Sequence, residues 1–185
     1  MKRLSDFLFS FLIIIFLLLP ICLFSFTIFL IDGFPIFYWS KRFGKNKNFF
    51  LMPKLRTMKK NTPQVATHLL KNPEKYILPF GNFFRKTSID ELPQFFSVIM
   101  GQMSIVGPRP ALYNQLDLIS LREKYGINSL KPGITGYAQI NGRDNISILE
   151  KVKLEKKYLD EKNIIVDIII MFKTISLLLG KNVKH

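Results

Sequence analysis

Residues 7–31 form a run of 25 positions without a Lys, Arg, Asp or Glu, long enough to cross a bilayer as a helix. Pro20 falls near its middle, where it removes a backbone donor and kinks a helix. The halves, 7–19 and 21–31, would each reach only about 16–20 Å, short of a ~30 Å hydrocarbon core. Lys2 and Arg3 precede the run, and Lys41, Arg42, Lys45 and Lys47 follow it. Lys and Arg favour the cytoplasmic side, so a run with both flanks basic is frustrated as a span. It is satisfied as a re-entrant helix–break–helix that leaves on the side it entered. Ser25 and Thr27 carry hydroxyls that help satisfy backbone groups freed at such a bend. No small-residue cleavage site follows the run, which argues against a cleaved leader.

Beyond this segment the pattern is mixed. Residues 34–39 and 49–52 are short aromatic and apolar stretches separated by a polar, Gly-containing turn at 43–48, which predicts a β-hairpin. Residues 61–76 predict a polar loop and helix. Helices are predicted over 89–100, 112–125 and 147–162, and a last apolar one over 164–179, interrupted by Asp167 and Lys173. At 16 residues that last helix suits lying on a bilayer or packing in a core better than spanning. The fold class expected is α+β, mainly helical: a re-entrant, Pro-broken membrane helix (1–33), then a compact cytosolic domain (34–185) with a short β-hairpin and interfacial amphipathic helices.

Charge adds to this picture. The 185 residues carry 27 Lys and Arg against 13 Asp and Glu, a net +14, beside 48% hydrophobic residues. Ten of those cations but only two of the acids lie in residues 1–60. The excess flanks the apolar segment instead of forming one long basic stripe, which favours an anionic phospholipid membrane and disfavours nucleic acid. One cysteine, Cys22, excludes a disulfide framework and a cysteine zinc cluster. His68 and His185 read as surface residues. Zinc-enzyme spacings, a nucleophile elbow and kinase signatures are absent.

Candidate chemistry gathers in residues 85–94. Ser88 with Glu91 three positions later has the spacing of a capping box. Asp90 and Glu91 are also adjacent acids just after the cations Arg85 and Lys86. A helix start attracts phosphate, and paired carboxylates can hold Mg²⁺ through its water shell. In Gly107-Pro108-Arg109-Pro110, two prolines display Arg109 from a stiff loop, which suits bidentate phosphate recognition. Lys54 and Arg56 alternate along a short extended segment. Residues 131–136 and 141–143, the latter with Arg143, are Gly-rich loops that match neither a P-loop nor a dinucleotide fingerprint.

Four ordered motifs, at 54–58, 85–94, 103–110 and 132–143, resemble those of the bacterial sugar transferase family, the small monotopic phosphoglycosyl transferases. The similarity runs from about residue 2 to 173. Leu19 before Pro20, Gln102, Tyr137 and Glu155 depart from residues common in that family. The resemblance implies transfer of a sugar-1-phosphate from a UDP-sugar to polyprenyl (undecaprenyl) phosphate, releasing UMP, as the first membrane step of glycan assembly. It also implies a catalytic domain on the cytoplasmic face of the bacterial inner membrane. Asp90 maps to the nucleophile and Glu91 to its partner, with Mg²⁺ as cofactor at this pair. Lys54, Arg85, Arg109 and Arg143 match positions that contact phosphate or uridine; Pro108 and, less directly, Arg56 complete the substrate-binding set. A carboxylate attacking a phosphoanhydride would split the transfer in two through a covalent intermediate. The competing class is a non-catalytic, basic, membrane-anchored scaffold for glycan-assembly enzymes.

Overall fold

The computed structural model describes residues 2–62, 72–142 and 145–180. Helix α1 (Lys2–Asp32) contains the whole apolar run. It is helical straight through Pro20, where two separated halves were expected. Pro20 withholds one N–H from the ladder without ending the helix. At 1.5 Å per residue, α1 is about 46 Å long. Most of its large side chains face outward, but Asp6, Ser10, Ile14, Ile21 and Ile28 are buried. Their spacings of four and seven place them along one stripe.

That stripe rests on a folded body, and both ends of α1 are fastened to it. At the start, Arg3 donates to the carbonyls of Val98 and Ile99 (both 2.5 Å). Asp6 accepts from Ser104 Oγ (2.8 Å) and the Ile105 amide (3.2 Å). At the far end, Phe24 meets Phe84 edge-on with ring centroids 4.8 Å apart, and Ile28 joins a core cluster with Leu55, Leu78 and Phe84. The last turn is closed by Arg56, which donates to the Asp32 carboxylate, to the Gly33 carbonyl (2.7 Å) and to the Pro35 carbonyl (2.6 Å).

The expected hairpin is present. Strand β1 (Phe37–Phe43) pairs antiparallel with β2 (Phe49–Leu55), Phe37 opposite Leu55 and Phe43 opposite Phe49. Its turn holds Asn46 and Lys47 at positive φ. The helix expected over 89–100 is divided. Helix α2 (Gly81–Thr87) ends at Ser88, a 3₁₀ turn covers Ile89–Glu91, and α3 (Gln94–Ile99) begins after Pro93. Ser88 makes no side-chain cap; it sits in the left-handed region at φ 58° as the end of α2. Ser88 and Glu91 therefore do not form the expected capping box.

Strand β3 (Ser104–Val106) pairs in parallel with β4 (Gly133–Thr135). The backbones flanking this pair approach too closely for side chains: a Cβ on Gly133 would lie 2.1 Å from the Gly107 nitrogen, and one on Gly107 2.4 Å from the Lys131 carbonyl. Helices α4 (Leu116–Lys124), α5 (Tyr137–Ile140), α6 (Ile148–Glu161) and α7 (Ile164–Leu178) complete the body. Ser147 and Glu150 form a reciprocal capping box at the start of α6. The main core joins Met52, Val98, Met103, Val106, Tyr158 and Ile170. Outside it, α7 exposes Ile165, Ile169 and Phe172, as expected of a helix apolar beyond the needs of its core contacts.

Candidate active site

The left-handed Ser88 turns the chain sharply out of α2, and the following 3₁₀ turn carries Asp90 inward. Asp90 is only 8% exposed. Burial, opposed by the nearby charges of Lys54 and Arg85 and reinforced by Glu91, pushes its pKa up to about 6. Asp90 is thus a carboxylate at neutral pH, but one held with little solvation.

Glu91 faces the cations. Lys54, near the end of β2, donates to Glu91 Oε1 at 2.7 Å; Arg109 Nη2 stands 3.6 Å from the same oxygen. One carboxylate therefore places two cations that arrive from elements far apart in sequence. Arg85, in the last turn of α2, donates through Nε to Thr57 Oγ1 at 3.0 Å. Gln94, Arg109, Pro110, Gly133 and Ile134 line a small cleft beside Glu91.

The structure brings Asp90, Glu91, Lys54, Arg85 and Arg109 into one neighbourhood, with Pro108 in the loop that carries Arg109. Arg56 does not join them. Strand β2 ends at Leu55, so the two-residue alternation stops and the Arg56 side chain turns away to close α1. Its guanidinium is used on Asp32, Gly33, Pro35 and Met58. Arg143 lies outside the described residues, as do His68, His185 and most of the loop and helix expected over 61–76.

Among the described residues no group of three or more His, Cys, Asp or Glu could cage a metal. Glu91 stands beside the small cleft with Lys54 and Arg109 against it, and Asp90 is buried next to it. Mg²⁺ is commonly held by one or two carboxylates, waters and substrate phosphates.

Sequence reasoning missed several residues that shape this region. Arg42 donates to the Pro110 carbonyl (3.0 Å) and Arg122 to the Arg109 carbonyl (3.0 Å). Lys2 pairs with Asp167 (2.5 Å), which accepts from Tyr158 Oη (2.7 Å). Burial, then the Asp167 hydrogen bond, raises the pKa of the Tyr158 phenol. Arg42 with Pro110 and Lys2 with Asp167 lie 68 and 165 residues apart in sequence, so only the fold reveals them.

A sparsely solvated carboxylate stands among fixed cations in a chain whose first helix is long and apolar enough to cross a membrane. The chain belongs to the bacterial sugar transferase family, whose profile matches residues 1–181, and it is a transferase by that membership. It is 36% identical over 159 residues to the exopolysaccharide production protein ExoY of Sinorhizobium fredii, covering 78% of this chain and 70% of that protein. It is 39% identical over 166 residues to the galactosyl transferase CpsE of Streptococcus agalactiae, covering 83% of this chain and 37% of CpsE. It is 36% identical over 183 residues to the UDP-glucose:undecaprenyl-phosphate glucose-1-phosphate transferase of Escherichia coli, covering 95% of this chain and 39% of that enzyme. The chain thus spans well under half the length of the last two relatives.

Proposed function

We propose that this protein moves a sugar-1-phosphate from a UDP-sugar to polyprenyl phosphate through a phospho-sugar bound covalently to Asp90. The observation that carries the reading is the burial of Asp90 beside Lys54, Glu91 and Arg85. A carboxylate stripped of water is a stronger nucleophile, and nearby cations let it approach an anionic phosphorus.

In the first step an Asp90 oxygen attacks the phosphorus that bears the sugar. The phosphoanhydride bond breaks, an acyl phosphate forms, and UMP leaves with the bonding electron pair. In the second step an oxygen of polyprenyl phosphate attacks the same phosphorus. The Asp90–phosphorus bond breaks, the carboxylate is restored, and a polyprenyl diphosphate sugar departs. No net proton transfer is needed. Lys54 and Arg109, held by Glu91, bind the donor's phosphate oxygens, and Arg85 offsets charge beside Asp90. Mg²⁺, held by Asp90 or Glu91 with donor oxygens, would supply further neutralisation of the diphosphate.

The attachment of both ends of α1 to one body supports a membrane segment whose two ends stay on the same side, although Pro20 does not interrupt the helix. A straight span would carry one end across a core about 30 Å thick, away from that body. The basic flanks assign that side to the cytoplasm, with the body on the inner face of the bacterial cytoplasmic membrane. In a Cys22→Ser background, single cysteines near position 3, at the exposed Leu4, and at position 45 are expected to react only with reagents supplied from the cytoplasmic side. Labelling of either from outside would overturn this topology.

The chemistry is tested by incubating the protein with a panel of UDP-sugars and no acceptor, then seeking a phospho-sugar on the peptide containing Asp90. Release of UMP with that adduct, both absent in Asp90→Asn, is expected. UMP release by Asp90→Asn at the wild-type rate would remove the covalent mechanism.

A further inference from the structure

The loop at residues 107–110 has the sequence Gly-Pro-Arg-Pro. Its two prolines offer no amide donors, so its backbone must be fixed largely through carbonyls. All four of these are held. Gly107 O accepts from Gln139 Nε2 (3.4 Å), and Pro108 O from the Gly133 amide (2.8 Å). Arg109 O accepts from Arg122 Nη2 (3.0 Å), and Pro110 O from Arg42 Nη1 (3.0 Å).

The bond to Arg109 has unusual support. Arg122 on α4 is 4% exposed and Glu155 on α6 is 2% exposed. Glu155 accepts from Arg122 Nε (2.8 Å) and Nη2 (2.5 Å), a forked pair. Such a pair is a poor choice for stability alone, because apolar residues of similar volume often serve as well or better in a core. An apolar pair could not donate to the Arg109 carbonyl. That bond is what the buried charges add.

We propose that Arg122, oriented by Glu155, is a positioning residue. It fixes the backbone of Arg109 so that the guanidinium is presented to the donor's phosphates beside Glu91. This inference rests on the reading of Arg109 as a phosphate ligand, and the test separates the two.

Arg122→Met alone would strand the buried Glu155 and risk unfolding, so the test uses the core swap Arg122→Met with Glu155→Leu. It is compared with wild type, Arg109→Ala and the triple variant. The readouts are the dissociation constant for UDP, the cooperativity of unfolding, and amide exchange over residues 105–114. Arg109→Ala is expected to weaken UDP binding by about tenfold or more, the loss of a charge-assisted contact. The core swap should unfold cooperatively, exchange faster over 105–114, and weaken UDP by a similar factor. The triple variant should bind no worse than Arg109→Ala, because the swap acts only through Arg109. Arg122→Lys, which keeps the charge but loses the fork, should fall between wild type and the swap.

Wild-type UDP affinity and loop exchange in the core swap would overturn the inference. So would a triple variant whose loss is the product of the two separate losses. Wild-type affinity in Arg109→Ala would instead remove the phosphate role of Arg109, whatever the exchange data show for its backbone.

Discussion

Replacing Asp90 by Asn should abolish turnover and at the same time stabilise the protein. Burial lifts the Asp90 carboxyl from 3.8 to about 6. At 1.36 kcal/mol per pKa unit, ionised Asp90 costs the folded state about 3 kcal/mol above pH 6. Desolvating the replacement amide takes back about 1 kcal/mol, leaving a gain of about 2 kcal/mol. The sign follows from proton binding. Between pH 4 and 6 the folded state holds the Asp90 proton that the unfolded chain has released, so wild-type stability falls as pH rises. Above pH 6 the whole penalty is present, and below 4 both states carry a neutral side chain. The advantage of Asp90→Asn should therefore be full at pH 7.5 and mostly gone at pH 4. Urea unfolding in detergent, followed by the emission of Trp39, the single tryptophan, measures it. Equal stability at pH 7.5, or a difference that does not change with pH, would refute the claim that Asp90 is held as an unfavourable carboxylate.

Catalysis should show the matching dependence. On the proposed mechanism Asp90 attacks as a carboxylate, so kcat/KM should fall about tenfold per pH unit below 6, and a flat profile down to pH 5 would exclude it as the titrating nucleophile. Glu91→Gln frees Lys54 and Arg109 from their shared anchor, so kcat/KM for the UDP-sugar should drop by about 10²-fold, read from UMP release. Arg56→Met should lower stability by about 2 kcal/mol, as expected on removing a buried donor from the partly exposed Asp32 carboxylate and from the Gly33 and Pro35 carbonyls. UDP affinity, measured on the folded fraction, should stay at the wild-type value; a weaker affinity would return Arg56 to the binding site.

Local signals made the hairpin, α6 and α7 legible. The polar turn at 43–48 between aromatic runs announced β1 and β2, and the N-caps Ser147 and Asn163 lead into strings of helix formers. The Ser-x-x-Glu pattern shows the limit of such signals. At 147–150 nothing interrupts the helix, and the capping box forms. At 88–91 the same spacing is followed by Pro93, and Ser88 turns left-handed to end α2. That failed expectation is the feature that delivers Asp90 to its buried position. The parallel pair β3–β4 was not legible, because each strand has three residues and its partner lies about 30 positions away. Asp90 with Glu91, and the stiff loop of Arg109, stood out as candidates from residue type alone, and the fold brings Glu91 and Arg109 together. The carbonyl contacts from Arg42 and Arg122 did not, because they depend on how β1 and α4 pack.

The net charge of +14 thus serves several separate ends. Arg3 and Arg56 spend their donors on the two ends of α1, Arg42 and Arg122 on the backbone that carries Arg109, and Lys54 and Arg109 on Glu91. Charge that looks like a diffuse attraction to anionic surfaces is, at these positions, directional hydrogen bonding that fixes the long apolar helix and the loop of Arg109 to one body. The consequence for catalysis is geometric. On the proposed mechanism the acceptor's phosphate lies at the membrane surface and the donor comes from water, which would place Asp90 at a fixed depth between them. On that reading a helix fastened at Arg3 and at Arg56 would set the depth, because neither end can shift without moving the body that holds Asp90.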